Sequence, residues 1–551
     1  MSVFTRKARP RLWPWLLVAI LAIAIWFVLA NTLFYTDPTQ EPISMPQRFT
    51  WWLLPPLITV FALFGGAWGV SGLRVQAAEL QQQQQTAQLA AQQQAEAQSV
   101  AAALAHQQFS LEIRAVGITI DRFRQSQVLQ KLDKVNHPYT SILSQDSNDY
   151  QWAGETRLFQ SEQRAFDAFN VAARLWVERW PIPVMVADAN GMGMDRIVWA
   201  RNGTGLGITL FTGLAAHKGE DADLLVNEMF KVFDDNPDLP SVLVFSTDSQ
   251  EMRGRGRIDK RFVPDIPDSM VAMLFTRSDR VDKHIRPYTV DVPYDISMDD
   301  TQYDIIKLWN FYWTHRDAYL DMPESKGSGA MPTAYWNEQV KSLIPQIDPH
   351  GTQGMLFWEN SKAGFKPSPW IPVRWTKWQL EEYDSAPIVG HLHRPVEVSL
   401  QGKSAAQQAE AMAEGWKQAL ATLPKGSSKP EWLFYDTGAD GKHVIPLARA
   451  LTQSHTAESL DPNDPMHSYN LSTRIGNTGV SSPFVQLALG TMRSYDKGGV
   501  SAAVNLRQGD RASIILVEPP TPQEKANNKP NPDNNARYAS DPDPFVPKMQ
   551  Q

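Results

Sequence analysis

The chain contains no cysteine. Disulfides, thiolate metal sites and every cysteine nucleophile are thereby excluded. The compartment stays open, because cysteine-free chains occur on both sides of a membrane. Positive charge is not in excess either: 52 lysines and arginines face 59 aspartates and glutamates, a formal charge of −7. A basic face of the kind that binds nucleic acid is therefore not expected. No Gly-x-Ser-x-Gly occurs, so the nucleophile elbow of lipases and esterases is missing. Ser328, within Gly327-Ser-Gly329, lacks the strand-then-helix context and reads as a loop.

Other short motifs also lack their chemical context. Gly203-x-Gly205-x-Gly207 precedes an apparent strand rather than opening a helix, so it reads as a β-turn and not as a phosphate loop. His391 and His393 would face one side of a strand, with no third ligand nearby in sequence, so no metal is expected. No cofactor is expected either. Asp234, Asp235 and Asp238 lack calcium-loop spacing, and Pro237 makes them a solvated helix end. Arg253, Arg255, Arg257, Lys260 and Arg261 form a basic patch: a solvated loop, or a contact for an acidic partner or anionic lipid.

What the sequence does have is hydrophobic length near its start. Leu12–Thr36 carries no charge and Leu16–Leu29 is almost wholly aliphatic; a second uncharged stretch runs from Phe49 to Leu73. Each exceeds the roughly 20 residues that a spanning helix requires. Trp13, Trp15, Trp26, Trp51 and Trp52 fit interfacial belts. Arg6, Lys7, Arg9 and Arg11 precede the first stretch, and the positive-inside rule then puts the N-tail in the cytoplasm. Two crossings return the remainder there. The expectation is a two-pass inner-membrane protein, residues 1–74 holding the spans and the soluble part lying in the cytoplasm.

Residues 75–110 are rich in alanine and glutamine and read as a helical stalk, a disordered linker being the alternative. Two α/β stretches follow. In the first, 111–250, Pro183–Ala189, Arg196–Arg201, Gly207–Ala215 and Ser241–Thr247 read as strands and Asp221–Phe233 as a helix. In the second, 396–518, strands are expected over Val396–Leu400 and Glu431–Tyr435, and helices over Ser404–Leu423, Val444–Ser454 and Pro483–Tyr495. A hairpin of Ala502–Leu506 and Ala512–Glu518 closes it. The tail, 519–551, is rich in Pro, Asn and Asp and is expected to be disordered. Between the two stretches, 251–395 breaks the alternation and holds Trp309, Trp313, Trp336, Trp358, Trp370, Trp375 and Trp378. It reads as an aromatic-cored insertion or as a recognition surface, since tryptophan is enriched at interface hot spots. Trp309, Trp313, Trp370, Trp375 and Trp378 are the candidate partner contacts.

Within the second stretch, Leu433-Phe-Tyr-Asp-Thr-Gly-Ala-Asp440 is followed by Pro446-Leu-Ala-Arg-Ala-Leu451, then by Ile475-Gly-Asn-Thr-Gly-Val480 and the closing hairpin. This succession resembles the C-terminal half of the thiolase-like superfamily, which includes the β-ketoacyl synthases. In that family the first run carries His-Gly-Thr-Gly-Thr and the second Gly-His-Thr-x-Gly-Ala. The resemblance implies a cysteine nucleophile at a helix N-terminus and two side chains that stabilise a thioester oxyanion. Here Asp436 and Asn477 stand at the two histidine positions and no cysteine exists, so no catalytic residue is expected. The whole layout is similar to the type VI secretion lipase adapter family. That resemblance implies a non-catalytic adapter or chaperone whose partners are a lipase effector and the secretion spike protein. The expected fold class is therefore α/β: two N-terminal transmembrane helices, a helical stalk, then thiolase-like α/β halves with a Trp-rich insertion. The alternative is a membrane-bound acyl-handling enzyme whose diverged pocket uses Asp436, His443, Asn477 and His391. A third reading is a purely structural role, with the stalk oligomerising.

Overall fold

The computed structural model describes residues 12–35, 45–134, 139–150 and most of 154–528; the longest stretches outside it within the last range are 198–210, 256–260, 292–304, 326–330, 340–363 and 454–459. It divides into two units, Met1–Leu104 and Ala105–Gln551.

The first unit is helical. Helix α1 spans Leu12–Tyr35, and α2 runs from Met45 to Gln107 without interruption. Among the described residues no helix is long and apolar enough to cross a membrane. This overturns the two transmembrane helices and, with them, the two-pass inner-membrane localisation. The physical reason lies in how the second apolar stretch is built. The stretch Phe49–Leu73 is not a bounded apolar helix. It holds Pro55 and Pro56 and continues as the same helix through Arg74, Glu79 and the glutamine-rich segment.

The second unit carries the α/β fold. Its first half comprises β1 (Ser110–Ile120), β2 (Phe123–Arg124), α3 (Gly154–Ala173), β3 (Ile182–Asp188), β4 (Phe211–His217), α4 (Leu224–Asp235), β5 (Ser241–Asp248) and β6 (Ser269–Thr276). Helix α5 (Lys377–Ser385) precedes the second half. That half comprises β7 (Gly390–His393), β8 (Val396–Ser399), α6 (Ala405–Leu420), β9 (Pro430–Asp436), α7 (Val444–Gln453), β10 (Ser468–Asn470), α8 (Ser482–Lys497), β11 (Val500–Asn505) and β12 (Arg511–Glu518). A short helix, α9 (Pro522–Asn527), follows.

One sheet runs through both halves in the order β10-β9-β11-β12-β7-β1-β6-β5-β3-β4, with β2 on β1 and β8 on β12. The order is the same pattern twice. In the first half β3 lies parallel between β4 and β5, β5 pairs antiparallel with β6, and β6 with β1. In the second, β9 lies parallel between β10 and β11, β11 pairs antiparallel with β12, and β12 with β7 and β8. The halves meet where β1 and β7 pair antiparallel, Ser110–Ile113 against Gly390–His393. The fold is thus an internal duplication about its own first strands.

The strands form because they are apolar on both faces. Every residue of β3, β5 and β6 is buried, which is the pattern of strands covered on two sides. One face packs against α4 and α8, and α8 is buried along most of its length, Ser482 to Ser494. The other face is covered by α3 and the tryptophans of the first half, and by α6 and α7 in the second. Helix α6 begins at a capping box, Ser404 accepting from the Gln407 amide while Gln407 reaches back. Helix α3 is fixed by buried charge: Arg164 pairs with Asp121 at 2.7 Å and with Asp268.

The second-half elements fall within a few residues of their sequence-based bounds. Strand β6 is the main difference, since it lies inside the stretch read as an insertion yet is a central strand of the first half. Strand β1 was not anticipated. Gly203, Gly205, Gly207 and Ser328, and the tail beyond 528, lie outside the described residues.

Helix α3 lies so close to β1 that a Cβ on Gly117 would stand 1.8 Å from the carbonyl oxygen of Ala168. That backbone cannot yield like a side chain. Gly117→Val is expected to lower stability by about 3 kcal/mol, read as a reduced urea midpoint at unchanged slope.

Candidate functional site

Asp436 ends β9 and is fully buried. A buried carboxylate is costly unless paired and hydrogen-bonded, and here both requirements are met. Oδ1 accepts from the Gly438 amide at 2.8 Å and from the Ser472 hydroxyl. Oδ2 accepts from the Ser482 hydroxyl and from Arg507 Nη1 at 2.9 Å. Gly438, at φ 60, lets the chain turn back so that its N–H meets the carboxylate.

Arg507, in the turn between β11 and β12, is the hub. Its side chain is 3 % exposed, and Nη2 donates to Glu220 at 3.0 Å and to the Asn477 side-chain oxygen at 2.8 Å. The two positions singled out in sequence, Asp436 and Asn477, are therefore brought together through one guanidinium. Asn477 is exposed, and its oxygen also accepts from the Gly479 amide at 3.0 Å. Gly479, at φ 58, passes so close to the first half that a Cβ would meet Asp248 Oδ2 at 1.9 Å.

Asp248 ends β5 and is buried. It holds Arg253 by two bonds, 2.8 Å from Nε and 2.6 Å from Nη2, and accepts from the Val480 amide at 2.8 Å. Arg253 Nη2 lies 4.0 Å from Glu220. The result is a ladder, Asp436–Arg507–Glu220–Arg253–Asp248, that runs from the end of a second-half strand to the end of a first-half strand. Glu220 is its exposed rung. It sits in the turn before α4 with Asp221, whose carboxyl burial would raise but which His217 Nε2, 2.7 Å away, holds below the usual range.

Chemically this is a closed site. Asp436 presents only acceptors, each already engaged, where an oxyanion requires a donor. His443 lies beside the site, its Nδ1 3.2 Å from the Thr437 carbonyl. His391 is elsewhere, on the seam strand β7, where Nε2 lies 3.1 Å from Glu524 of α9. His393 is buried, with Nδ1 3.1 Å from the Thr422 carbonyl and Nε2 3.4 Å from Glu518. Among the described residues no group of three or more His, Asp or Glu side chains is placed to hold a metal.

The tryptophans occupy different environments. Trp375 is fully buried, meeting Trp180, Trp176 and Tyr383 with ring centroids 5.4, 6.3 and 5.9 Å apart. It belongs to the core, where no partner can reach it. Trp370 is half-buried and bonded on both sides, Nε1 donating to Asn236 at 3.0 Å and its carbonyl accepting from Trp180 at 3.2 Å. Trp313 is half-buried under Arg316, whose guanidinium lies 4.8 Å from its ring. Trp378, on α5, is half-buried. Trp309 lies in the helix Ile305–Leu320, with its side chain outside the described residues.

Sequence reading missed Arg507, Glu220 and Asp248, and placed Arg253 in a solvated patch. A basic residue beside the hairpin turn was the available signal for Arg507. Its target is 71 positions away in sequence, and no local pattern encodes that distance.

Two models of one family match the chain: "Type VI lipase adapter protein Tla3, N-terminal" over residues 109–266 and "Type VI lipase adapter protein Tla3, C-terminal" over 389–519. Among solved structures, the chain is similar to the oxazolomycin ketosynthase domain OzmH KS8 of Streptomyces albus JA3453. That match has 8% identity and a TM-score of 0.38, covering 77% of this chain and 97% of that one. It is also similar to the ketosynthase from module 1 of the bacillaene synthase of Bacillus amyloliquefaciens FZB42, at 8% identity and TM-score 0.36, covering 75% and 74%. Cerulenin-bound OleA of Xanthomonas campestris matches at 11% identity and TM-score 0.33, covering 74% and 97%.

Two outcomes follow from the ladder and the seam. Arg507→Met leaves Asp436 buried without its countercharge and is expected to cost about 3 kcal/mol. Asp436→Asn added to it removes that charge and should recover part of the loss in urea denaturation. At the seam, burial disfavours both charged groups, but the bond between them prevails. It holds Glu524 down at about 2, and with the Glu524, Glu112 and Glu518 charges it lifts His391 above its ordinary 6.5. The Glu524 contribution is complete above the ordinary carboxylate value of 4.5 and fades as pH falls toward 2. The His391 contribution is complete below 6.5 and fades as pH rises through its raised value. The melting-temperature difference between the wild type and Glu524→Gln should therefore peak between pH 4.5 and 6.5, and shrink on either side in scanning fluorimetry.

Proposed function

The chain belongs to the type VI lipase adapter family, and on that premise we propose that it binds a lipase effector and hands it to the secretion spike protein while performing no chemistry of its own. The observation that carries the non-catalytic part is the closed ladder. At the two positions where the thiolase-like resemblance implies oxyanion-stabilising histidines, a buried carboxylate and an amide oxygen are both consumed by Arg507. An acceptor there opposes developing negative charge instead of stabilising it. The cysteine that would have been acylated is absent from the whole chain.

The binding part is supported by how the charges at this end of the sheet are spent. Internal partners fix the strand ends, so the surface they support is held before any partner arrives, and preorganisation of that kind lowers the cost of association. Among the tryptophans, Trp313, Trp370 and Trp378 are half-buried and are the candidate contacts for a partner; Trp375 is fully buried.

The test uses the full chain with a type VI lipase effector and a spike protein from the same genome. The tagged protein is expected to retain the lipase, and Trp378→Ala is expected to weaken retention about tenfold or more, as hot-spot truncations do. Retention of neither protein would overturn the adapter reading. Thioester turnover that vanishes in Asp436→Ala would overturn the non-catalytic one.

A further inference from the structure

Beside the ladder, on the outer side of the second half, is a pocket of about 270 Å³ between the loop after β8, the starts of α6 and α7, and the β11–β12 turn. Its wall is aliphatic: Leu400 and Leu506 are 3 % and 1 % exposed, Pro446 is buried, and Ile445 stands at the rim, 43 % exposed. The ionisable groups lining it are Lys442 and His443; no carboxylate lines it.

We propose that this pocket binds a short aliphatic monocarboxylate, its chain on Leu400, Leu506 and Ile445 and its carboxylate on Lys442. Three observations support this. First, the cationic group is free to act. Lys442 is exposed, and among the described residues no ion pair engages it. His443 turns Nδ1 to the Thr437 carbonyl and packs Nε2 toward Gly509, where a Cβ would come within 2.5 Å. Gly509 thus leaves room for the imidazole in the pocket wall. Second, the volume is slightly below the usual range for small-molecule sites and equals roughly nine water volumes. It fits a chain of a few carbons, not a long acyl tail. Third, the wall is held still. The Leu506 amide bonds the Asp436 carbonyl at 2.9 Å, so the ladder that closes the inner site fixes one side of the outer one. An apolar slot with a cation at its mouth and no competing carboxylate selects an anion with an aliphatic body.

The proposal stands apart from the adapter reading, since it concerns a small ligand and not the lipase. Calorimetry of the full-length chain with sodium hexanoate, and with 1-hexanol as the uncharged counterpart, tests it. Saturable hexanoate binding is expected, with hexanol about tenfold weaker or more, because a charge-assisted hydrogen bond is lost. Lys442→Glu should weaken hexanoate by a similar factor. Ala405→Trp, at an exposed helix start on the pocket wall, should abolish binding with an unchanged melting temperature. A peptide ending in leucine with a free carboxylate distinguishes the two sources of this chemistry. Displacement of hexanoate by it assigns the pocket to a chain terminus, and no displacement assigns it to a free acid. Absence of saturable hexanoate binding, or binding that both variants leave intact, overturns the proposal.

Discussion

The Asp436–Arg507 pair is the contact on which the second half's architecture turns. Moving two charges out of water costs several kcal/mol each, and the pair persists because both carboxylate oxygens and both terminal guanidinium nitrogens are bonded, while Arg507 Nε is buried without a partner. Gly438, Ser472 and Ser482 complete the carboxylate, and Glu220 and Asn477 complete the guanidinium. These partners come from five separate places along the chain. Each must be in position for the pair to be tolerable, so the pair enforces the arrangement it depends on.

The same contact ties the halves together. A duplication that meets only at a pairing of β1 with β7 has a short seam, four residues on each strand. Three features reinforce it. Helix α8 is buried against both halves, and its Ser481 neighbour bonds Ser246 of β5 and the Ser269 carbonyl of β6. The ladder links the end of β9 to the end of β5 through Glu220. At the far side of the seam, α9 is strapped on by His391–Glu524 and by Asn528, which bonds the Ile388 backbone in both directions. Burial of α8 supplies the bulk of the association, and the polar contacts fix the register in which it occurs.

How legible was this in the sequence? The second half was read closely, because Ser404–Leu423, Val444–Ser454 and the closing hairpin carry clean periodicities and turn signals. Strand β6, Ser-Met-Val-Ala-Met-Leu-Phe-Thr, is buried on both faces and so does not alternate. Lying beside a Trp-rich stretch, it gave no boundary. Strand β1 was hidden for the opposite reason. Glu112 and Arg114 interrupt its apolar pattern, and only the fold shows that they pair with each other at 3.0 Å and with Thr276 and Ser278 across the sheet. Asp436 and Asn477 were found through the resemblance, whereas Arg507, Glu220 and Asp248 have meaning only as neighbours in space. The apolar N-terminal stretches misled because neither their length nor their composition marks where a helix ends; α2 runs through the second of them into a polar helix without a boundary.

Pairing the charges at the ends of strands changes what those ends can do. In open α/β sheets the ends of the strands are where polar groups converge, and that is where chemistry is usually placed. In this chain the convergence remains while the charges are matched to one another. A matched pair in low dielectric resists reorganisation, because moving either partner leaves the other charge buried and unpaired. It also holds neighbouring surface rigidly, which is what recognition requires. The carboxylates that end β5 and β9, each held by an arginine, therefore fix the strand ends of both halves as one framework.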